Sequence, residues 1–319
     1  MFMFNSVSGP HAPADRRAEF RIACDEPRTI DVRFTDAQSG ELLAAKRFAG
    51  VTEAVFDAAP IARRRIGFAP QASGASGFVA ADDRMLALTI TAATPEEPDT
   101  EIAAQCIFYA GDAPIPSLVA RMPLRRLIGP GEWDELTVLS QGPLQATVTA
   151  KGPAGEQTRS YVSGASLVKL FRLRAADFPE AEQLTVDFGS VGSVVYSVSR
   201  FPHDARRLAW KSRAGSLEHY TFPTEVATEI GATKTRVSGP DGYATAAAEE
   251  ERRIRLRSAC ETRAAAEALA EIVASPDVWL IVGDRYEPVD VATDTAAIQR
   301  QGMLTTLEIA IRPCKTAAL

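Results

Sequence analysis

Histidine is scarce in this sequence: His11, His203 and His219 are the three in 319 residues. Neither a His-Glu-x-x-His nor a Cys-x-x-Cys spacing occurs, so the usual zinc ligand sets are missing and no metal or other cofactor is expected. A Gly-rich loop ending in Lys-Ser or Lys-Thr is also missing, which removes the ready phosphate cradle. Four cysteines, Cys24, Cys106, Cys260 and Cys314, stand far apart without paired spacing. They could form two long-range bridges, but free thiols in a reducing compartment fit better. There is no excess of basic charge: 35 Lys and Arg against 41 Asp and Glu give a net charge of −6, which argues against a nucleic-acid partner. No apolar run approaches the roughly 20 residues that span a bilayer, so membrane insertion is not expected. The start, Met1 to Pro10, lacks the basic and apolar regions of a signal peptide, and the expected place of folding is the cytoplasm.

What remains is a globular composition with strand patterning. A hydrophobic fraction of 46% supports real cores, and the length suits two or three domains. The sequence divides into a β-sandwich over 1–112, a β-rich middle domain over 113–205 and an α+β unit over 206–319. In the first, Phe20 to Cys24 and Ile30 to Phe34 alternate apolar and polar, as half-buried strands do. Strands are also expected over 41–48, 51–56, 85–90 and 102–109, with a turn at Asp36 to Gly40 and a short helix over 58–66 capped by Asp57. Segments 71–77 and 94–98 read as loops, and Gly111 to Pro116 as a linker. The middle domain offers strands over 136–139, 144–150, 167–173, 184–188 and 194–198. In the last unit Val237 to Gly242 reads as a turn or loop. Ser258-Ala-Cys-Glu261 has capping-box spacing ahead of an Ala-rich helix that ends at Ser275-Pro276. Strands over 278–282, 286–291 and 303–311 complete one helix on a small antiparallel sheet.

Candidate chemistry is sparse. His203-Asp204 and the pair Glu218-His219 could supply a base or a metal ligand, but neither has a third partner in sequence and both read as polar rim residues. Gly74-Ala-Ser-Gly77 falls one residue short of the hydrolase elbow. Asp82-Asp83 and Glu96-Glu97 lack the carboxylate ladder of a calcium loop. Arg63-Arg-Arg65 and Arg125-Arg126 read as solvated basic faces or protein contacts. No catalytic residue is expected. Trp210, His219, Tyr220 and Phe222 gather aromatic area around the Gly-containing turn at Arg213 to Gly215. Such residues are either core or interface anchors, and with Trp279 and Tyr286 they are the interface candidates.

Two segments carry a resemblance. Leu208 to Pro223, with Trp210, the polar pair Ser212-Arg213, Gly215, Glu218 and Tyr220-Thr-Phe222, resembles a signature of bacteriophage and prophage virion proteins from gut bacteria. The polar pair departs from that pattern, which usually carries an Asn there. The end of the chain is similar to the same group: a helix, Ala274-Ser-Pro276, a strand with Trp279, then Tyr286-Glu-Pro-Val289 and a final alternating strand. Val55 to Ile61 echoes a strand-then-helix segment of these proteins. The resemblance implies a non-enzymatic structural protein of tail or baseplate type, found in the cytoplasm during assembly and then in the virion. It implies homo-oligomeric contacts of a kind that can close into a ring, and contacts with neighbouring virion proteins in the bacterial cell and the virion, without transferring any catalytic residue. The alternatives are a carbohydrate- or ligand-binding β-sandwich, in which a surface glycan is the partner, and an enzyme built around His203 or His219.

Overall fold

Apolar side chains alternate along one long strand, Glu19–Asp36, whose Phe20, Ile22, Ile30, Val32 and Phe34 are buried. It is the spine of a six-stranded sheet that also holds Phe2–Ser6, Met85–Thr94, Glu97–Tyr109, His11–Pro13 and Leu42–Asp57. The computed structural model describes residues 2–71, 74–95, 97–240 and 242–314. Phe56, Leu88 and Phe108 join the spine residues in one core, which the short helix Ala59–Arg65 covers. The helix's N-cap is Ala58 rather than the expected Asp57, which stands one residue before it and whose Oδ1 accepts from the amides of Ala59, at 3.0 Å, and Ala18, at 2.9 Å. The separate strands read at 41–48 and 51–56 are one strand, with Gly50 at a φ of 62° between them.

The middle of the chain forms two facing sheets. One runs Gly77–Val79, Val168–Arg174, Trp133–Leu139, Ser117–Val119, and the other Gly155–Val162, Gln145–Gly152, Gln183–Asp187, Ser193–Val198, Arg125–Ile128. Leu136, Val138, Phe171 and Leu173 interleave with Ala146, Val148, Leu184, Val186, Val194 and Tyr196 between them. The boundary at 112 is crossed by Gly77–Val79, which pairs with Leu170 to Arg172 in the middle unit.

In the third unit Leu208, Trp210, Phe222, Leu256, Leu307 and Ile309 pack beneath Leu269 of the helix and Ile272 of the 3-10 turn that follows it. That helix, Arg263–Ala270, is capped by Thr262, whose hydroxyl accepts from Ala265 N at 3.2 Å. The expected capping box does not form: Ser258 Oγ accepts from Leu307 N, and Glu261 accepts from Tyr220 Oη. The sheet has eight strands, ordered Leu217–Phe222, Arg206–Lys211, Val278–Val282, Arg285–Val291, Leu304–Pro313, Gly242–Arg257, Thr224–Gly239, with Ile298–Gln301 beside Leu304–Pro313.

Strands Thr224–Gly239 and Gly242–Arg257 form an arm. Only Ile254 to Arg257 pair with the rest of the sheet, and every residue from 229 to 239 is exposed. At about 3.3 Å per residue, the ribbon beyond Ala227 and Arg255 reaches roughly 40 Å. The turn expected at Val237 to Gly242 is its tip, where Gly239 pairs with Gly242; Asp241 lies outside the described residues.

The linker and the hairpin turn of 211–217 touch backbone to backbone. A Cβ on Gly111 (φ 83°) would overlap the Ala214 carbonyl, and one on Gly215 (φ 89°) would overlap that of Ala110. Gly111→Ala is therefore expected to lower stability by about 1–3 kcal/mol, read from the urea midpoint. Gly131→Ala, which meets open space, serves as the neutral comparison.

Candidate functional site

The densest polar chemistry lies where the middle and C-terminal units meet. Strand Trp133–Leu139 is buried at all seven positions because sheets cover both its faces. Its Asp134 accepts from Arg126 Nη1 at 3.0 Å and Tyr196 Oη at 2.7 Å, and Oδ1 lies 2.7 Å from His219 Nδ1. Arg126 spans the seam by also donating through Nη2 to Glu218 Oε2 at 3.0 Å. Glu218 Oε1 in turn accepts from Arg121 N and Ser216 Oγ. On the far side Arg207 donates to Glu132 Oε2 at 3.1 Å, Thr221 Oγ1 at 2.8 Å and the Trp133 carbonyl at 2.8 Å. Arg84, stacked 3.6 Å over the ring of Phe68, pairs with Glu135 at 3.0 Å.

Burial acts against the charges of Asp134 and Arg126, and their partners offset it. For Asp134, burial favours the neutral acid, but Arg126, His219 and Arg207 more than offset it and hold the carboxyl well below the usual range. Burial drives the phenols of Tyr196, Tyr220 and Tyr286 upward, so all three stay protonated.

Asp134, His219 and Tyr286 stand in line, with His219 Nε2 2.9 Å from Tyr286 Oη. The order resembles an acid–base relay, but the His219 side chain has no exposed surface and Tyr286 Oη already accepts from Trp133 Nε1 at 3.1 Å. A cleft of about 240 Å³ borders it, lined by Met122, Arg126, His219, Tyr220, Cys260 and Glu261. Arg126 and Glu261 in its wall are engaged with Glu218 and Tyr220 respectively. Among the described residues no group of His, Cys, Asp and Glu could hold a metal ion, and no helix is long and apolar enough to cross a membrane.

The aromatic candidates are thus brought together, but inside the chain. Trp210 and Phe222 are fully buried in the third core, and Trp279 is 9% exposed beside Ala209 and Leu217. Tyr286 is wedged edge-on between Trp133 and Trp279, with ring centroids at 6.0 and 6.4 Å. Tyr220 donates to Glu261 at 2.8 Å and touches Phe222. The expectation that these residues anchor a partner is corrected for Trp210 and Phe222, which lie in the third core with no area left to offer, while His219 and Tyr286 face Asp134 and Trp133 of the middle unit. His203-Asp204 stays apart, on a turn. Ser76 of the near-elbow is a loop tie, its amide donating to Asp177 and its hydroxyl to the Arg174 carbonyl. Arg63 and Arg65 are surface cations paired with Asp15 and Glu41. Glu97 pairs with Arg28, and Glu96 lies outside the described residues. Cys24, Cys106, Cys260 and Cys314 form no disulfide among the described residues.

Surface apolar area gathers elsewhere. On the arm Tyr243 is 82% exposed, Ile230 67% and Val237 54%. The sequence gives little sign of this, because the arm is built of Thr, Ala, Glu and Arg without an apolar period.

No family model matches this chain, and no curated protein matches it. Among solved structures, a complex of Dpr2 Ig1-Ig2 with DIP-Theta Ig1-Ig3 aligns over 99% of this chain and 90% of that one, at 8% identity and a TM-score of 0.22. DIP-gamma IG1+IG2 aligns over 64% of this chain and 98% of its own, at 11% identity and a TM-score of 0.20. Squid arrestin aligns over 63% of this chain and 99% of its own, at 8% identity and a TM-score of 0.15. These likenesses are too low to carry an argument about function.

Proposed function

We propose that this chain is a non-enzymatic structural component of a phage or prophage tail- or baseplate-type assembly, which binds copies of itself and neighbouring virion proteins. One observation carries the reading: the outer part of the arm, residues 229–239 and 242–253, stands outside every core of the chain. A two-stranded ribbon of that length is marginal in water by itself, and its open edges present unpaired amides and carbonyls. Such a ribbon is stabilised when another chain adds to an edge. The sealed seam supports the same reading, since it joins the middle and C-terminal units into a rigid mount with its ionisable groups already paired. The resemblance of residues 208–223 and of the C-terminal segment to virion proteins supplies the context.

The test is the solution mass of the purified chain, by light scattering across a concentration series. A defined oligomer larger than a dimer is expected. A monomer at every concentration would count against self-assembly and favour the ligand-binding sandwich, to be pursued with a glycan screen.

A further inference from the structure

A second buried cluster of charge lies where all three units meet, and there cations outnumber acids. Glu135 of the middle sheet is 3% exposed and accepts from Arg84 Nη2 of the N-terminal unit at 3.0 Å. Arg172 stands directly opposite Glu135 in the strand ladder, so the two side chains share a face. Thr137, two residues along from Glu135, shares it as well. Arg84 is 0% exposed and Arg172 6%. The backbone ahead of Gly77–Val79 covers Arg172 so closely that a Cβ on Gly74 would stand 2.6 Å from its Nη1. The ring of Phe68 covers Arg84, and Lys211 of the C-terminal unit approaches the same ring, 5.1 Å from its centroid.

The charges at this junction do not balance. No carboxylate pairs with Arg172 or Lys211 among the described residues, and Asp83, 3.8 Å from Arg84 Nε, stays 36% exposed. Arg84 Nε and Nη1, Arg172 Nη2 and Thr137 Oγ1 are buried without a hydrogen-bond partner among the described residues. A guanidinium does not shed its proton, so a buried one needs an anion beside it. Glu135 offers one negative charge to two buried arginines. Water satisfies donors but leaves the second charge uncompensated.

We infer that this junction binds a small oxyanion of the phosphate or sulfate class, held by Arg84 and Arg172 with the Thr137 hydroxyl as a further donor. Guanidinium N–H groups suit such an ion, because they donate charge-assisted bonds to several of its oxygens at once. The Thr137 hydroxyl can rotate to donate alongside them. The cover of Phe68 and Gly74 excludes an anionic group carried on another chain, which selects a free ion. Its ligands come from two units, Arg84 from the first and Thr137 and Arg172 from the second, and Lys211 adds positive charge from the third. The ion therefore acts as a fastener at the meeting point of the units.

The experiment follows thermal unfolding of the full chain, dialysed into low-salt buffer and then supplied with low-millimolar phosphate or sulfate, or with chloride at equal ionic strength. Phosphate and sulfate are expected to raise Tm with the concentration dependence of an ion that binds the folded state, while chloride leaves it in place. Arg172→Gln is expected to weaken the apparent affinity about tenfold or more, since it removes a charge-assisted contact. Arg64→Gln, an exposed cation elsewhere, keeps the full response. Without oxyanion, Arg172→Gln is expected to be at least as stable as the wild-type chain, because it removes an uncompensated charge; an arginine with a purely structural role would show a loss there. Thr137→Val, which keeps the shape, is the second variant should circular dichroism show Arg172→Gln unfolded, with an expected weakening of about threefold or more. No rise in any salt, equal rises in phosphate and chloride, or an oxyanion-specific rise that the folded variants retain would each overturn the site.

Discussion

Asp134→Ala is expected to lower the unfolding free energy by about 3–5 kcal/mol near neutral pH, among the largest effects of any single substitution in the chain. The carboxylate holds three partners at once, and its loss leaves the Arg126 guanidinium, only 5% exposed, with Glu218 alone and takes the acceptor from the buried Tyr196 hydroxyl. Desolvation of groups left short of partners, rather than the strength of one ion pair, sets the size of the loss. Asp134→Asn keeps the shape and the contact with Tyr196, so it should cost less. The pH dependence has a definite sign. The folded carboxyl lies below its unfolded value, so its stabilisation is complete above roughly pH 4 and fades as pH falls toward the folded value. The stability gap between the wild-type chain and Asp134→Asn should be flat from about pH 5 to 8 and narrow in acid. Guanidinium titrations at a series of pH values measure it. A gap that widens below pH 4 would contradict the assigned partners.

The second large effect is at Trp210. Trp210→Ala is expected to cost about 3–5 kcal/mol, because it empties the centre of the third core beside Leu208, Phe222 and Leu256. Trp210→Phe should cost far less. The indole N–H has no hydrogen-bond partner among the described residues, so removing it forfeits apolar volume but no bond. Denaturant midpoints read both. If Trp210 were a partner anchor, Trp210→Ala would instead weaken association while leaving the midpoint of the monomeric chain unchanged.

Where one face meets a core and the other meets water, the sequence alternates and its strands are readable, as at Phe20 to Cys24 and Leu307 to Ile311. Reading fails where that premise fails. Trp133–Leu139 is covered on both faces and includes Asp134, Glu135 and Thr137, so its signal looked shorter and more polar than a buried strand. Gly155–Val162 is almost wholly exposed, and a polar strand has no period to find. The arm is the same case on a larger scale. Arg126 read as half of a solvated pair, yet Asp134 and Glu218 compensate it from 8 and 92 residues away. The seam around His219 was invisible for that reason: its members come together only through the packing of two sheets. Of the candidate site, the sequence marked the aromatics correctly as a cluster, but not that their neighbours in the middle unit would enclose them.

The strand Gly77–Val79 has a consequence for synthesis on the ribosome. Its partner in the middle sheet, Leu170 to Arg172, is encoded roughly ninety residues later. At about 5–20 residues per second, the nascent segment waits roughly 5–20 s before the strand it completes has been made. The first sheet has its own strands by Tyr109 and can close early, while the 77–79 segment hangs from it as an unpaired tether. Vectorial folding therefore proceeds with a deliberate lag. The N-terminal unit is built first, and the emergence of Val168–Arg174 is the event that fastens it to the remainder.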